Sequence, residues 1–279
     1  MSQLIAMRQR IKAVLTIKKI MGAMRLVSRS LHTRMNHARK PLGEYVASFD
    51  HFLSVLTRRM GNAVPEWLAG GQSDKKLYII IGAQKGLCSS YNADLLYWMN
   101  AHKHLLCDEH AHVVVVGKKV ADCAKSIGSS HLVSLPECTM AKIGHCAVSL
   151  QKIIEKAHPH FDKVEVISNY SHTFFSHRMR IVPIVPLEIK DYADTVTDVE
   201  VFDYESHDVI YQCAQRYLYV LLYKSLYESL LGEYAARFIA TDNATRNADK
   251  SLVRMKMQYN KIRQAKITKE ISELVGAYQ

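Results

Sequence analysis

Residues 1–40 contain no aspartate or glutamate. Arg8, Arg10, Lys12, Lys18, Lys19, Arg25, Arg29, Arg34, Arg39 and Lys40 stand there with no acidic residue among them. A solvated helix face normally mixes both signs, so a wholly basic stretch points to an acidic protein, a nucleic acid or a membrane surface as its partner. No run of about 18 uncharged apolar residues occurs, which leaves no candidate for a membrane-spanning helix. The opening Met1-Ser2-Gln3-Leu4 lacks the apolar run of a signal peptide, and the expectation is a cytoplasmic or processed chain. The six cysteines include no Cys-x-x-Cys pair and are too scattered for a disulfide scaffold, so reduced, mostly buried thiols are expected.

Catalytic motifs are missing as well. The loop Gly82-Ala83-Gln84-Lys85-Gly86-Leu87 follows an apolar run, where nucleotide loops sit, but it has no Gly-Lys-Ser/Thr ending. Gly117-Lys118-Lys119 fails in the same way, and no G-x-G-x-x-G is present. The histidine pairs His102/His104, His110/His112 and His158/His160 have no cysteine or carboxylate converging on them in sequence, so solvation rather than metal binding is their expected fate. No nucleophile elbow or zinc-protease motif occurs. The sequence argues against an autonomous enzyme, and no cofactor or small-molecule substrate is expected.

What is present falls into three regions. The 279 residues, 48% hydrophobic and 23% charged, have an ordinary globular composition. In residues 1–60, Leu4, Met7, Ile11, Val14, Ile17, Ile20, Met24, Val27, Leu31 and Met35 recur at steps of three and four. That period of about 3.5 residues belongs to a coiled coil. Pro41 predicts a kink or short break, after which Tyr45, Phe49, Phe52, Leu53 and Leu56 resume the pattern. Gly61 to Asp74 reads as a linker.

Residues 75–190 follow a different grammar. Leu77–Ile81 and Val113–Val116 are continuous β-branched runs of the kind found in buried strands. Helical segments are expected at Asn92–His104, Lys118–Ile127 and Met140–Ala157, with further strands at Lys163–Asn169 and Arg180–Ile189. Alternating strands and helices imply a mostly parallel sheet. Pro183 and Pro186 put the last strand at its edge. The third region, 206–279, has no proline and one internal glycine, Gly232, before Gly276. About 70 helical residues span roughly 105 Å, too long for one small domain to bury. Ala235, Ala236, Ala240, Ala244 and Ala248 allow close approach of a second helix, and the first region supplies one. The expected fold is therefore α/β, a long antiparallel coiled coil of the N- and C-terminal helices with a central Rossmann-like α/β domain.

Three segments resemble the gamma subunits of F-type ATP synthases. They are Ile20-Met21-Gly22-Ala23-Met24-Arg25-Leu26-Val27-Ser28 together with Arg10–Val14, Lys85-Gly86-Leu87-Cys88-Ser89-Ser90-Tyr91-Asn92, and a long C-terminal set. That last set comprises Glu233–Arg237, Asp242–Ala248 and Tyr259–Ile271. The chain departs from the family's usual pattern at Gln84, where Asp is common, at Ser89 and Ser90, where two glycines are usual, and at Thr241, where Met is frequent.

The resemblance implies a rotating, non-catalytic shaft that couples proton flow to ATP chemistry performed on other subunits. Its implied partners are a hexameric ring of alpha and beta subunits, the epsilon subunit and the membrane c-ring, on the cytoplasmic face of a bacterial inner membrane. It further implies beta-subunit contacts at Met24, Arg263, Gln264, Thr268 and Glu270. Ile267, Ile271, Leu274 and Val275 would form a bearing at the tip of the shaft, and Lys85, Gly86, Leu87 and Cys88 a loop of the foot domain. Two alternatives stand beside it: a basic coiled-coil protein that binds nucleic acid, and a small-molecule-binding α/β domain with helical arms.

Overall fold

The computed structural model describes residues 2–59, 74–129, 131–156, 161–186 and 207–277. The expected linker lies outside these residues apart from Asp74, as do His158 and His160. The chain forms two compact units, one of Leu31–Ala236 and one of Met1–Ser30 with Arg237–Gln279.

Helix α1 spans Ser2–Arg59 and the last helix, α6, spans His207–Ala277, so both contribute residues to each unit. Between them come β1 (Lys76–Ile81), α2 (Ala93–Ala101), α3 (Lys103–Leu106), β2 (Ala111–Val116), α4 (Lys118–Ile127), β3 (His131–Leu135), α5 (Ile143–Lys156), β4 (Lys163–Thr173) and β5 (Ser176–Val185).

The larger unit is built on a five-stranded sheet of order β3-β2-β1-β4-β5. Its β1–β2, β1–β4 and β2–β3 ladders are parallel, and β4–β5 is antiparallel. The strand carrying Pro183 is at the edge, where a missing N–H costs no ladder bond. The apolar runs are continuous because both faces are covered. Leu77, Ile79, Ile81, Val114 and Val116 face one core with α5 and residues of α6, and Tyr78, Ile80, Val113 and Val115 face the other with α2 and α4. The sequence did not reveal β3. Its residues are mostly exposed, so it carries no apolar run to betray it.

Two expectations need correction. The segment 92–104 is not one helix, because His102 separates α2 from α3. Nor is there a break at Pro41, since α1 runs through it. Met35, Val46 and Leu53 are buried on either side of that proline. Helical stability in proteins comes mainly from such tertiary packing, and here it carries the backbone through one missing hydrogen bond. Within this unit α1 and α6 run antiparallel. The Tyr227 hydroxyl donates to the Met35 carbonyl, the Tyr217 hydroxyl donates to the Asp50 carboxylate, and Phe49 stacks on Tyr217 at 5.9 Å.

The smaller unit is a two-helix heptad pair, also antiparallel. Its α6 seam is Thr241, Thr245, Ala248, Leu252, Met255, Tyr259 and Ile262, all buried or half-buried at steps of four and three. On α1 the seam is Leu4, Met7, Ile11, Val14, Lys18, Met21, Arg25 and Ser28. The apolar residues Ile17, Ile20 and Val27 do not belong to it, contrary to expectation, and are half or more exposed at 50%, 50% and 58%. A strict alternation of three and four passes through the polar positions instead. Lys18 Nζ lies 2.5 Å from Asp249, and Arg25 Nη1 lies 2.7 Å from Asp242. Ion pairs that solvent reaches add little to stability. Their effect is on register, as polar residues at seam positions fix it in coiled coils.

Candidate functional site

Two places carry the residues singled out by sequence. The first is the heptad pair. Arg263, Gln264, Thr268 and Glu270 are all exposed on the last turns of α6, and Glu270 pairs with Lys266 at 3.2 Å. Ile267, Ile271, Leu274 and Val275 are exposed there too, Leu274 by 62%. Met24 is half-buried, beside the Arg25–Asp242 level. At 1.5 Å per residue that level is about 30 Å along α6 from Arg263, so the structure does not bring Met24 to the others.

The exposed apolar residues extend over both helices, with Ile5, Leu15, Ile17, Ile20, Leu26 and Val27 on α1 and Val253 and Met257 on α6. So many large apolar side chains left in solvent offer surface to another protein. Arg8, Arg10, Lys12, Lys19 and Arg29 are exposed beside it, whereas Lys18 and Arg25 are engaged by α6. Part of the basic charge thus serves the chain itself. The Arg25 hydrogen bond, with Arg246 adding to it at 2.9 Å, holds the Asp242 carboxyl below its ordinary value.

The second place is the loop after β1, at the C-terminal ends of the parallel strands. Here the sequence missed the central residue. Glu233 is 2% exposed, and its two carboxylate oxygens accept the Gln84 N–H at 2.8 Å and the Lys85 N–H at 3.2 Å. The preceding N–H, of Ala83, goes to Asn92 Oδ1 at 2.9 Å. Three successive donors of a loop that binds phosphate in other α/β folds are therefore taken by the chain's own side chains. Gly82 leaves no space for more, since a Cβ there would lie 2.2 Å from Val120 Cγ2.

Nearby, Tyr91 is fully buried and its hydroxyl lies 2.6 Å from the Ser229 carbonyl. Gly232 passes so close that a Cβ would lie 3.2 Å from the Tyr91 ring. Glu233 follows Leu226 and Leu230 at buried helical spacing, and an acid on such a face was the available signal.

The four residues expected in the foot loop are together but differ in role. Lys85 and Gly86 are exposed, with Lys85 Nζ 3.4 Å from Glu137. Leu87 is 47% exposed at φ +62°, whereas Cys88 is buried with its thiol toward the Lys85 carbonyl. Ser89 sits at φ +52°. All six cysteines are free thiols. Burial first, and the adjacent Cys146 thiol second, push the Cys138 thiol far up, which makes it unreactive. Among the described residues no three His, Cys, Asp or Glu gather to hold a metal, and no helix is long and apolar enough to cross a membrane.

A sheet whose ligand loop is closed by its own glutamate, together with a heptad pair that leaves apolar surface uncovered, defines a protein that works through partners. Comparison with known proteins gives its family. The family model described as ATP synthase matches residues 3–279. The ATP synthase gamma chain of Clostridium novyi (strain NT) is 27% identical over 99% of this chain and 97% of its own length. That of Clostridium botulinum (strain Okra / Type B1) is 29% identical over 98% and 96%.

Among solved structures, a chain of the Euglena gracilis mitochondrial ATP synthase (OSCP/F1/c-ring) aligns with TM-score 0.71 and 15% identity, covering 99% of this chain and 93% of that one. One from the central stalk/c-ring of Tetrahymena thermophila aligns at 0.53 with 20% identity, covering 81% and 99%. These last two likenesses carry the fold. The chain belongs to the ATP synthase gamma family: it is the non-catalytic central stalk of the F1 rotor.

Proposed function

We propose that the heptad pair turns inside a ring of alternating alpha and beta subunits, and that the sheet-bearing unit meets the epsilon subunit and the c-ring at the cytoplasmic face of a bacterial inner membrane. The single observation that supports this most is the uncovered apolar surface of the smaller unit. Its seam is already complete without Ile17, Ile20, Val27, Val253 and Met257, which leaves them for another protein. A shaft that turns against successive subunits needs contacts that slide. Ile267, Ile271, Leu274 and Val275 offer apolar surface without directional bonds. Arg263, Gln264 and Thr268 are exposed for transient polar contact with a beta subunit, Glu270 adds a carboxylate, and Met24 meets beta further along the pair.

Lys85, Gly86 and Leu87 present the foot loop, with Cys88 anchoring it from inside. The basic residues left exposed on α1 attract acidic segments of beta over about a Debye length, without fixing one orientation. The test is reconstitution. Mixed with alpha and beta subunits, the chain should form a stoichiometric complex and raise their ATPase activity, while having none alone. Retention on DNA with a steep salt slope, and no capture of alpha or beta, would favour a nucleic-acid binder instead.

A further inference from the structure

Strand β3 is the edge of the sheet and pairs with β2 on one side only. At the start of that pairing, His112 on β2 is in register with His131 on β3. Their rings stack with centroids 4.4 Å apart and planes 13° from parallel, and Phe161 meets His112 edge-on at 5.1 Å. Two imidazoles can keep such a stack when at least one is neutral. Two imidazolium rings at that distance repel. The charged neighbours of His112 are His131 and Lys75, and a lysine adds a further cation. The Asp162 carboxylate, on the loop entering β4, accepts the Asp74 N–H at 2.5 Å.

We propose that the His112–His131 stack is a proton-operated latch on the edge strand: it holds β3 against β2 when neutral and releases it when both rings are protonated.

Burial first, then His131, then Lys75, hold His112 below its ordinary value of 6.5. The open form therefore binds more protons than the closed one. The latch is at full strength above about pH 6.5, and it weakens as pH falls from there toward the lower value of the closed form, below which both forms hold the proton. Between about pH 6.5 and that lower value, one extra proton taken up by the open form shifts the closed-to-open ratio by at most about tenfold per pH unit. Among the described residues no other strand pair of the sheet carries such a stack. β1 and β4 are internal strands, and β5 is stapled to β4 by a long antiparallel ladder. Release of β3 bares the hydrogen-bonding edge of β2, a template for strand pairing.

The test is hydrogen exchange of the full chain between pH 7.5 and 5.0, corrected for the intrinsic pH dependence of exchange. Amides of 131–135 are compared with those of β1. Protection of β3 should fall by up to about tenfold per unit relative to β1 as pH drops below about 6.5, and H131N should flatten that slope. Should H131N lower β3 protection outright, H112N gives the same comparison, because the readout is the slope and not the level. Parallel loss in β3 and β1 would overturn the latch, as would a slope left undiminished in either variant. The wild-type slope decides the matter even where neither variant folds.

Discussion

Replacing Glu233 by alanine tests whether the loop after β1 is held by α6. The carboxylate is 2% exposed and accepts two backbone N–H bonds, from Gln84 at 2.8 Å and Lys85 at 3.2 Å. A hydrogen bond to a charged group is worth about 1.5–3 kcal/mol, and a buried donor left without its acceptor costs about 1–3 kcal/mol. The two bonds share one carboxylate and their losses are not additive. A total of about 2–4 kcal/mol follows, at the upper end of ordinary substitutions. For a chain of this size that lowers the unfolding midpoint by about 5–10 °C. E233Q retains one carbonyl acceptor and should fall between wild type and E233A. The assay is thermal unfolding followed by circular dichroism, with limited proteolysis of the loop as a local readout. A change within about 0.5 kcal/mol, with the loop no more accessible, would show that Gln84 and Lys85 find other partners at no cost.

Other outcomes follow from single contacts. The Asp242 carboxyl is held below its ordinary value of 3.8, so its contribution to the heptad pair is complete above that pH and lost as pH falls below it. D242N should remove this acid limb from a pH titration of helicity. Ser89 stands at φ +52°, where an L-residue is strained, and S89G should stabilise the chain by about 0.5–1 kcal/mol in denaturant unfolding. Y91F deletes a buried hydroxyl that lies 2.6 Å from the Ser229 carbonyl and should cost about 1–2 kcal/mol in the same measurement. Replacing Arg263 and Gln264 together by alanine should leave helicity unchanged, because both are exposed, while slowing coupled ATP turnover of the reconstituted complex. Unchanged turnover would mean that the two side chains are merely solvated.

The legible parts of the fold were those written in repetition. Seventy proline-free residues gave α6, and the β-branched runs at 77–81 and 113–116 gave two central strands, because burial on both faces demands continuous apolar sequence. The edge strand β3 escaped, since a strand with most residues in solvent leaves no such trace. The α1 register was misread for the opposite reason. Ile17, Ile20 and Val27 are apolar yet outside the seam, while Lys18 and Arg25 are polar yet within it. Hydrophobic periodicity reports apolar residues whichever protein they face, and a helix with external partners carries two stripes. Glu233 carried one signal, an acid on a buried helical face, but its partners could not be read. Its burial depends on a loop nearly 150 residues away, and only the fold brings the two together.

The central claim is that this chain turns while others do the chemistry. A complex of the chain with alpha and beta subunits would be immobilised through beta, with an optical probe attached at position 97, where Tyr97 is 78% exposed. Given ATP, the probe should rotate in one direction, pausing three times per turn as each beta subunit is served. ATP hydrolysis at full rate with the probe stationary would contradict the account.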